Sequence, residues 1–274
     1  MITKEQQEKE QRLRAYLRTA QRVLVAFSGG VDSTYLLKVA HDELGANALA
    51  VMATSCLTPA SELADANQFC EQEGIELIVH DTTPLEIPGF TENSPERCYL
   101  CKAALMTAFR ELARERGITH VFDGSNVDDL GDWRPGLRAL REQGIESPLI
   151  IGGFTKEDIR ACAHGAGLKA WDKPSAACLA SRIAAGETIT PQRLARIDAA
   201  EQYLHELGLR QVRVRLLCEE PSGDRARIEA DEKGRALLMA SPELRSQITA
   251  HLKGLGFGAV EPEIALYRTG SMNQ

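Results

Sequence analysis

Apolar positions follow two rhythms along this chain. Residues 5–20 are polar but carry hydrophobic positions at helical spacing, which predicts an amphipathic lead-in helix. Residues 23–27, Val-Leu-Val-Ala-Phe, form a short unbroken apolar run, the pattern of a strand buried on both faces. Helical spacing returns over residues 34–44, with Leu36, Leu37, Val39, Ala40 and Leu44 on one side. The same reading predicts strands at 48–53, 75–79 and 119–122. It predicts helices at 59–73, 98–116 and 155–164, closing at Gly74, Gly117 and Gly165. Strands alternating with helices predict an α/β fold, a doubly wound parallel-sheet domain over residues 1–185. Ligands of such sheets bind beyond the carboxyl ends of the strands. Residues 28–33, 54–58 and 124–129 are therefore expected to face one crevice.

The rhythm changes near residue 188. A helix is predicted over 191–207, with Pro191 at its start and Gly208 after it. Short strands follow at 211–217 and 225–230, then helical segments and a last strand near 260–266. Val212-Arg213-Val214-Arg215 alternates apolar and charged, which predicts a half-exposed sheet with a polar face. A smaller α+β domain is placed over residues 186–274. Residues 169–187, rich in Ala, Ser, Gly and Pro, are read as a linker.

Composition narrows the function classes. The chain has 274 residues, 43% hydrophobic and 26% charged, which argues for a globular fold and against disorder. No apolar run approaches the roughly 18 residues of a membrane helix. The charged N-terminus has no apolar signal core, so a cytoplasmic location is expected. A net charge of −7 excludes a generally basic nucleic-acid coat, though not a local basic groove. Seven cysteines, an odd number, read as reduced thiols rather than a disulfide framework.

The strongest motif is Ser28-Gly29-Gly30-Val31-Asp32-Ser33, set between a predicted strand and a predicted helix. Adjacent glycines let the backbone curl so that successive N–H groups point at one anion. The helix adds its positive end, and Ser28 and Ser33 add hydroxyl donors. The Lys-Ser/Thr ending of a Walker A loop is missing. Asp32 is placed to hold Mg²⁺ against a departing pyrophosphate; helix capping is the alternative. SGGxDS is the sequence of the PP-loop ATP pyrophosphatases, which bind ATP, adenylate a substrate oxygen and release pyrophosphate.

A nucleophile must then attack the adenylate, and the candidates are cysteines. Arg97-Cys98-Tyr99-Leu100-Cys101-Lys102 is a C-x-x-C at a helix start, where thiolates are favoured. One such pair cannot complete a metal site. A third thiol, Cys178, lies in the small-residue loop from Pro174 to Arg182. Composition alone leaves it open whether that thiol is inert or catalytic.

The SGGxDS loop, Ser94-Pro95-Glu96-Arg97-Cys98-Tyr99-Leu100-Cys101-Lys102 and the Cys178 loop, in that order, resemble the LarE family. These are ATP-dependent sulfur transferases of nickel-pincer nucleotide synthesis. The resemblance spans nearly the whole chain and implies a small-molecule nucleotide substrate, pyridinium-3,5-biscarboxylic acid mononucleotide. ATP would activate its carboxylates and sulfur would replace an oxygen. It implies that Cys178 attacks the adenylate. In single-cysteine members that cysteine gives up its own sulfur. Members with two further cysteines hold a 4Fe-4S cluster, and Cys98, Cys101 and Cys178 match that type. It also implies a homo-oligomer, commonly a hexamer. By the same resemblance Arg213 and Arg215 belong to the substrate phosphate site, with Ser181, Arg182 and Glu201 near that crevice; an exposed arginine pair is the alternative.

Further candidates rest on position. Gly124, Ser125, Asn126 and Asp128 follow a strand and are expected to line the nucleotide pocket, although turns favour the same residue types. Arg134 could meet a phosphate and Trp133 could stack on a flat ring, or both could lie on a solvated loop. Cys56, Cys70, Cys162 and Cys218 are read as structural, and no histidine is given a role. Three competing functions remain: a tRNA thiolase of the same class, an amide-forming relative of NAD or GMP synthetase, and a nucleotide-binding regulatory module. The acidic charge and lack of an RNA-binding module weigh against the first. The second needs none of the three cysteines.

Overall fold

The computed structural model describes residues 2–131, 135–174, 177–218 and 223–268. The chain divides into two units, one of residues 1–83 and 98–176, the other of residues 84–97 and 177–274. The second unit thus begins at Ala177 and takes in the stretch 84–97, which the sequence pattern left within the first domain.

The first unit contains α1 (Lys4–Ala20), β1 (Val23–Ala26), α2 (Val31–Leu44), β2 (Ala48–Thr54), α3 (Ala60–Glu73), β3 (Leu77–Asp81), α4 (Arg97–Glu115, entering from the second unit at its first residue), β4 (His120–Phe122), α5 (Pro135–Glu142), α6 (Pro148–Gly152) and α7 (Lys156–Gly165). The strands form one parallel sheet in the order β3-β2-β1-β4. Its two faces are buried by alternate residues, as two-sided burial requires. Val23, Val25, Ala48, Ala50 and Met52 join Leu13, Leu17, Leu36, Leu37 and Ile159 on one side. Leu24, Leu49 and Val51 join Met106, Phe109 and Leu140 on the other. The predicted doubly wound domain is therefore present.

Strand β3 starts two residues later than its apolar pattern predicts. Gly74 ends α3 in the left-handed conformation, and the Ile75 amide returns to Cys70 O at 2.9 Å. Ile75 is spent on the helix end rather than on the sheet.

The second unit holds α8 (Pro191–Glu206), β5 (Val212–Leu217), β6 (Arg225–Ala230), α9 (Glu232–Ala240), α10 (Pro242–Gly254), β7 (Ala259–Val260) and β8 (Ala265–Leu266). β5 and β6 are antiparallel, and β7 and β8 pair in parallel with β6. The single last strand expected near 260–266 is thus two short ones. The half-exposed sheet is also corrected. Arg213 and Arg215 are each only 5% exposed. Glu229 meets Arg215, Tyr267 lies by Arg213, and Ile183 bridges to Leu216. The predicted linker therefore contributes structure: it carries short 3₁₀ turns at Lys169–Asp172 and Leu179–Arg182.

Candidate active site

The SGGxDS loop leaves the carboxyl end of β1, an inner strand of the parallel sheet. Gly29 has φ of +70°, open to glycine at no steric cost, and a Cβ there would lie 3.0 Å from Glu62 Oε2. The Ser33 hydroxyl accepts from the Ser28 amide at 3.2 Å and lies 3.1 Å from the Ser28 hydroxyl. These contacts hold the curl closed, with the N-terminus of the 14-residue α2 behind it. Backbone amides and a helix end make an anion cradle.

Asp32 does not cap that helix: the N-cap is Gly30, with no side-chain cap bond, and the Ser33 and Thr34 hydroxyls donate to its carbonyl at 3.2 and 2.8 Å. Asp32 Oδ2 pairs with Lys156 Nζ, while its buried Oδ1 has no partner. Burial pushes its pKa up, against the pull of Lys156. A desolvated carboxylate with an open oxygen is suited to a divalent cation. Lys156 was not singled out from the sequence. It occupies the first turn of α7, whose start is fixed by the Thr155–Asp158 capping box. A second lysine, Lys173, donates to Glu62 at 2.7 Å and to Asp65 at 2.9 Å. Its Nζ lies 3.8 Å from where a Gly29 Cβ would stand.

The loop after β4 lies against the SGGxDS loop. A Cβ on Gly124 would come within 2.9 Å of the Ser33 amide nitrogen. Asn126 is buried, with Oδ1 accepting from the Asp128 amide at 2.9 Å, and its own amide donates to Asp129 Oδ2 at 2.9 Å. Asp128 Oδ2 accepts from the Lys156 amide at 2.7 Å. Gly124, Asn126 and Asp128 are thus tied to the elements that carry Asp32 and Lys156. Trp133 and Arg134 lie outside the described residues.

Cys98 is exposed and Cys101 half-buried, three positions apart on the first turns of α4, so they share a helix face. Cys178 is exposed and belongs to the second unit. Among the described residues no group of three or more His, Cys, Asp or Glu side chains is gathered as a metal site. Burial raises the thiol pKa of Cys70 to about 11, that of Cys218 to about 12 with help from Glu187, and that of Cys162 as well. These three fit a structural role, whereas Cys56 is exposed.

The arginines and glutamate expected near substrate are largely paired with one another. Arg182 and Glu201 form a bidentate pair at 2.9 and 2.8 Å, and both are buried. Arg215 donates to Glu229 at 2.9 Å and to Ser181 O at 3.0 Å. Arg213 donates to Val212 O at 2.7 Å, with its guanidinium 5.5 Å from the Tyr267 ring. Burial, then the charge of Arg182, holds its pKa below the ordinary arginine value. Ser181 is half-buried beside them.

No helix among the described residues is long and apolar enough to cross a membrane. A family model for NAD synthase matches residues 5–119. The chain is 38% identical over 266 residues to an uncharacterized protein of Synechocystis sp., covering 97% of each. It is 36% identical over 266 residues to the pyridinium-3,5-bisthiocarboxylic acid mononucleotide synthase of Lactiplantibacillus plantarum, covering 97% of this chain and 94% of that one. A shorter similarity, 26% over 140 residues, relates 50% of the chain to 27% of the GMP synthase of Chlamydia caviae. The NAD synthase and GMP synthase similarities are partial, whereas the mononucleotide synthase matches across both units. The chain belongs to the LarE family of PP-loop enzymes and is a sulfur transferase that uses ATP.

Proposed function

We propose that the protein adenylates the carboxylates of pyridinium-3,5-biscarboxylic acid mononucleotide and converts them to thiocarboxylates for nickel-pincer nucleotide synthesis. The similarity to the mononucleotide synthase along 97% of the chain supports the substrate. The observation that carries the reaction is the unpartnered, buried Asp32 Oδ1 beside the curled SGGxDS loop. The loop amides would take ATP phosphates, and Asp32 would hold Mg²⁺. A carboxylate oxygen of the substrate attacks the α-phosphorus and pyrophosphate leaves. The acyl carbon then carries AMP, a far better leaving group than oxide, and a sulfur nucleophile displaces it. Lys156, paired with Asp32, and Lys173, paired with the buried Glu62, stand beside the loop, ready to meet phosphate charge.

Cys98, Cys101 and Cys178 would hold a 4Fe-4S cluster, their thiols being the donor type that iron–sulfur clusters take. When bound, such a cluster supplies an open iron position that carries sulfide. A second reading, direct donation of sulfur from Cys178, is favoured by one observation. Cys178 is exposed, whereas Cys218, the other cysteine of its unit, is half-buried. Arg213, whose charge is opposed by burial and by Arg182, would bind the substrate phosphate, as would Ser181, whose hydroxyl meets Arg182. The enzyme would work as a homo-oligomer, a hexamer by family resemblance.

Iron and acid-labile sulfide per chain, on protein purified anaerobically, separate the two readings of sulfur transfer. About four irons, lost on changing any of the three cysteines, support the cluster. No iron, with Cys178 losing the mass of its sulfur after turnover, supports direct donation. In either case Cys178→Ala should abolish thiocarboxylate formation and leave pyrophosphate release; retained transfer would overturn the role of Cys178.

A further inference from the structure

The backbone that carries Cys178 is held from beneath by three guanidinium groups. Arg182 Nη1 donates to Ala177 O at 2.5 Å and to Cys178 O at 3.2 Å. Arg97 Nη1 donates to Ala180 O at 3.0 Å, and Arg215 Nη1 donates to Ser181 O at 3.0 Å. Each arginine is in turn fixed: Arg182 by Glu201, Arg97 by Asn93 Oδ1, Arg215 by Glu229. Glu201 Oε1 also accepts from the Val214 amide of β5 at 2.9 Å, which ties the Arg182 anchor to the sheet. Leu179, Ala180 and Ile183 are buried, whereas Ala177 and Cys178 are exposed.

This is more machinery than stability requires. A buried ion pair is often matched in stability by apolar residues of the same volume. What it supplies that apolar residues cannot is directed donors at chosen carbonyl oxygens, and so one defined backbone course. Arg182 uses Nε and Nη2 on Glu201 and Nη1 on the carbonyls of residues 177 and 178. Nη1 also donates to the Ser181 hydroxyl at 3.0 Å, so each of these guanidinium bonds runs to Glu201 or to the segment 177–181.

We propose that Arg182, held by Glu201, is a positioning residue for sulfur transfer. It fixes the backbone on either side of Cys178 so that the thiol is presented at one place, and it adds nothing to substrate affinity. This rests on the reading that Cys178 handles the sulfur.

The test uses the full chain with Arg182→Ala, Arg182→Lys and Glu201→Gln. Misplacement of a reacting group by about 1 Å can cost 100-fold in rate. Arg182→Ala is therefore expected to lower kcat of thiocarboxylate formation about 100-fold with KM for the pyridinium mononucleotide unchanged. Millimolar guanidinium should restore at least a tenth of the rate, because it can refill the fork between Glu201 and the two carbonyls. Arg182→Lys, which cannot span both, should stay low. Glu201→Gln keeps the guanidinium and loses its charged anchor, and serves if the alanine variant does not fold; kcat should again fall with KM unchanged. A loss carried in KM, or full transfer in a folded variant, overturns the proposal. Amide exchange is read in parallel: the Ser181 and Ile183 amides, bonded to Cys178 O and Ala180 O, should exchange faster in Arg182→Ala than in the parent. Unchanged exchange overturns the positioning role whatever the sulfur chemistry. Transfer retained in Cys178→Ala overturns the Cys178 reading alone.

Discussion

Gly124→Ala tests whether the loop after β4 sets the geometry of the nucleotide loop. A Cβ at position 124 would stand 2.9 Å from Ser33 N, 3.1 Å from Ser33 Cα and 3.3 Å from Asp32 C. All three are backbone atoms of the first turn of α2, so no flexible side chain can yield. Ordinary contact begins near 3.4 Å, and the helix start must retreat by about half an ångström. Overpacking of this kind costs about 1–3 kcal/mol, a fall in Tm of roughly 2–10 °C for a domain of this size. The function should suffer more than the stability, since the displaced turn carries Asp32, Ser33 and the loop amides. Pyrophosphate release at subsaturating ATP should fall about 10- to 100-fold. Gly254→Ala is the control, because nothing lies within 4 Å of its Cβ. Calorimetric titration with MgATP and a coupled pyrophosphate assay read the outcome. Parental ATP affinity and turnover in a folded Gly124→Ala would refute the reasoning.

Lys156→Gln removes the cation on Asp32. It should change urea stability by less than about 1 kcal/mol, because the pair is partly exposed, and slow pyrophosphate release at least tenfold by loss of a charged contact to phosphate; equal turnover would remove Lys156 from the site. Glu229→Ala strands the buried Arg215 guanidinium and should cost about 3–5 kcal/mol in urea unfolding at pH 7. Asp158 is held at about 2, below its ordinary 3.8: burial raises it, but bonds from Lys9, Thr155 and Gln6 prevail. A depressed carboxylate stabilises above its unfolded pKa, so up to about 2 kcal/mol should be present at pH 5 and lost as pH falls from about 4 to 2. Asp158→Asn should flatten that acid limb in urea melts taken at pH 5, 3.5 and 2.5; an unchanged limb would refute it.

Much of the first unit was legible because its information is local. The apolar run at β1, the helical spacing of α2 and the glycines of SGGxDS each report on neighbours within a turn or a pleat. What stayed hidden lies between residues far apart in sequence. The capping box at Thr155 marks where α7 begins, but nothing in it says that Lys156 reaches Asp32, 124 positions away. Period-two alternation correctly separates the two faces of β5. It cannot say that the charged face is dry, because the partner that dries it, Glu229, sits on β6, 14 positions from Arg215. Residues 84–97 join the second unit through Asn93, which donates to Ile183 O and Ala184 O some 90 positions on. No composition shift announces that connection.

The two sets of charges differ in how easily their partners can be exchanged, and this fits the two halves of the reaction. Lys156 and Asp32 have side chains 36% and 22% exposed, so the lysine end of the pair is open to solvent while Asp32 Oδ1 is buried without a partner. A phosphate bearing several negative charges can draw the open lysine away, and a divalent cation can take its place on Asp32, whose unpartnered oxygen it also meets. Arg182 and Glu201, at 3% and 6%, and Arg215 and Glu229, at 6% and 4%, are dry. Breaking a buried pair costs about 3–5 kcal/mol, more than one contact to a substrate returns. Adenylation needs a site that accepts a nucleotide and releases pyrophosphate, and therefore cations that change partners. Delivery of sulfur, on the proposed role of Cys178, needs a thiol that stays in one place while substrates come and go, and therefore cations that do not.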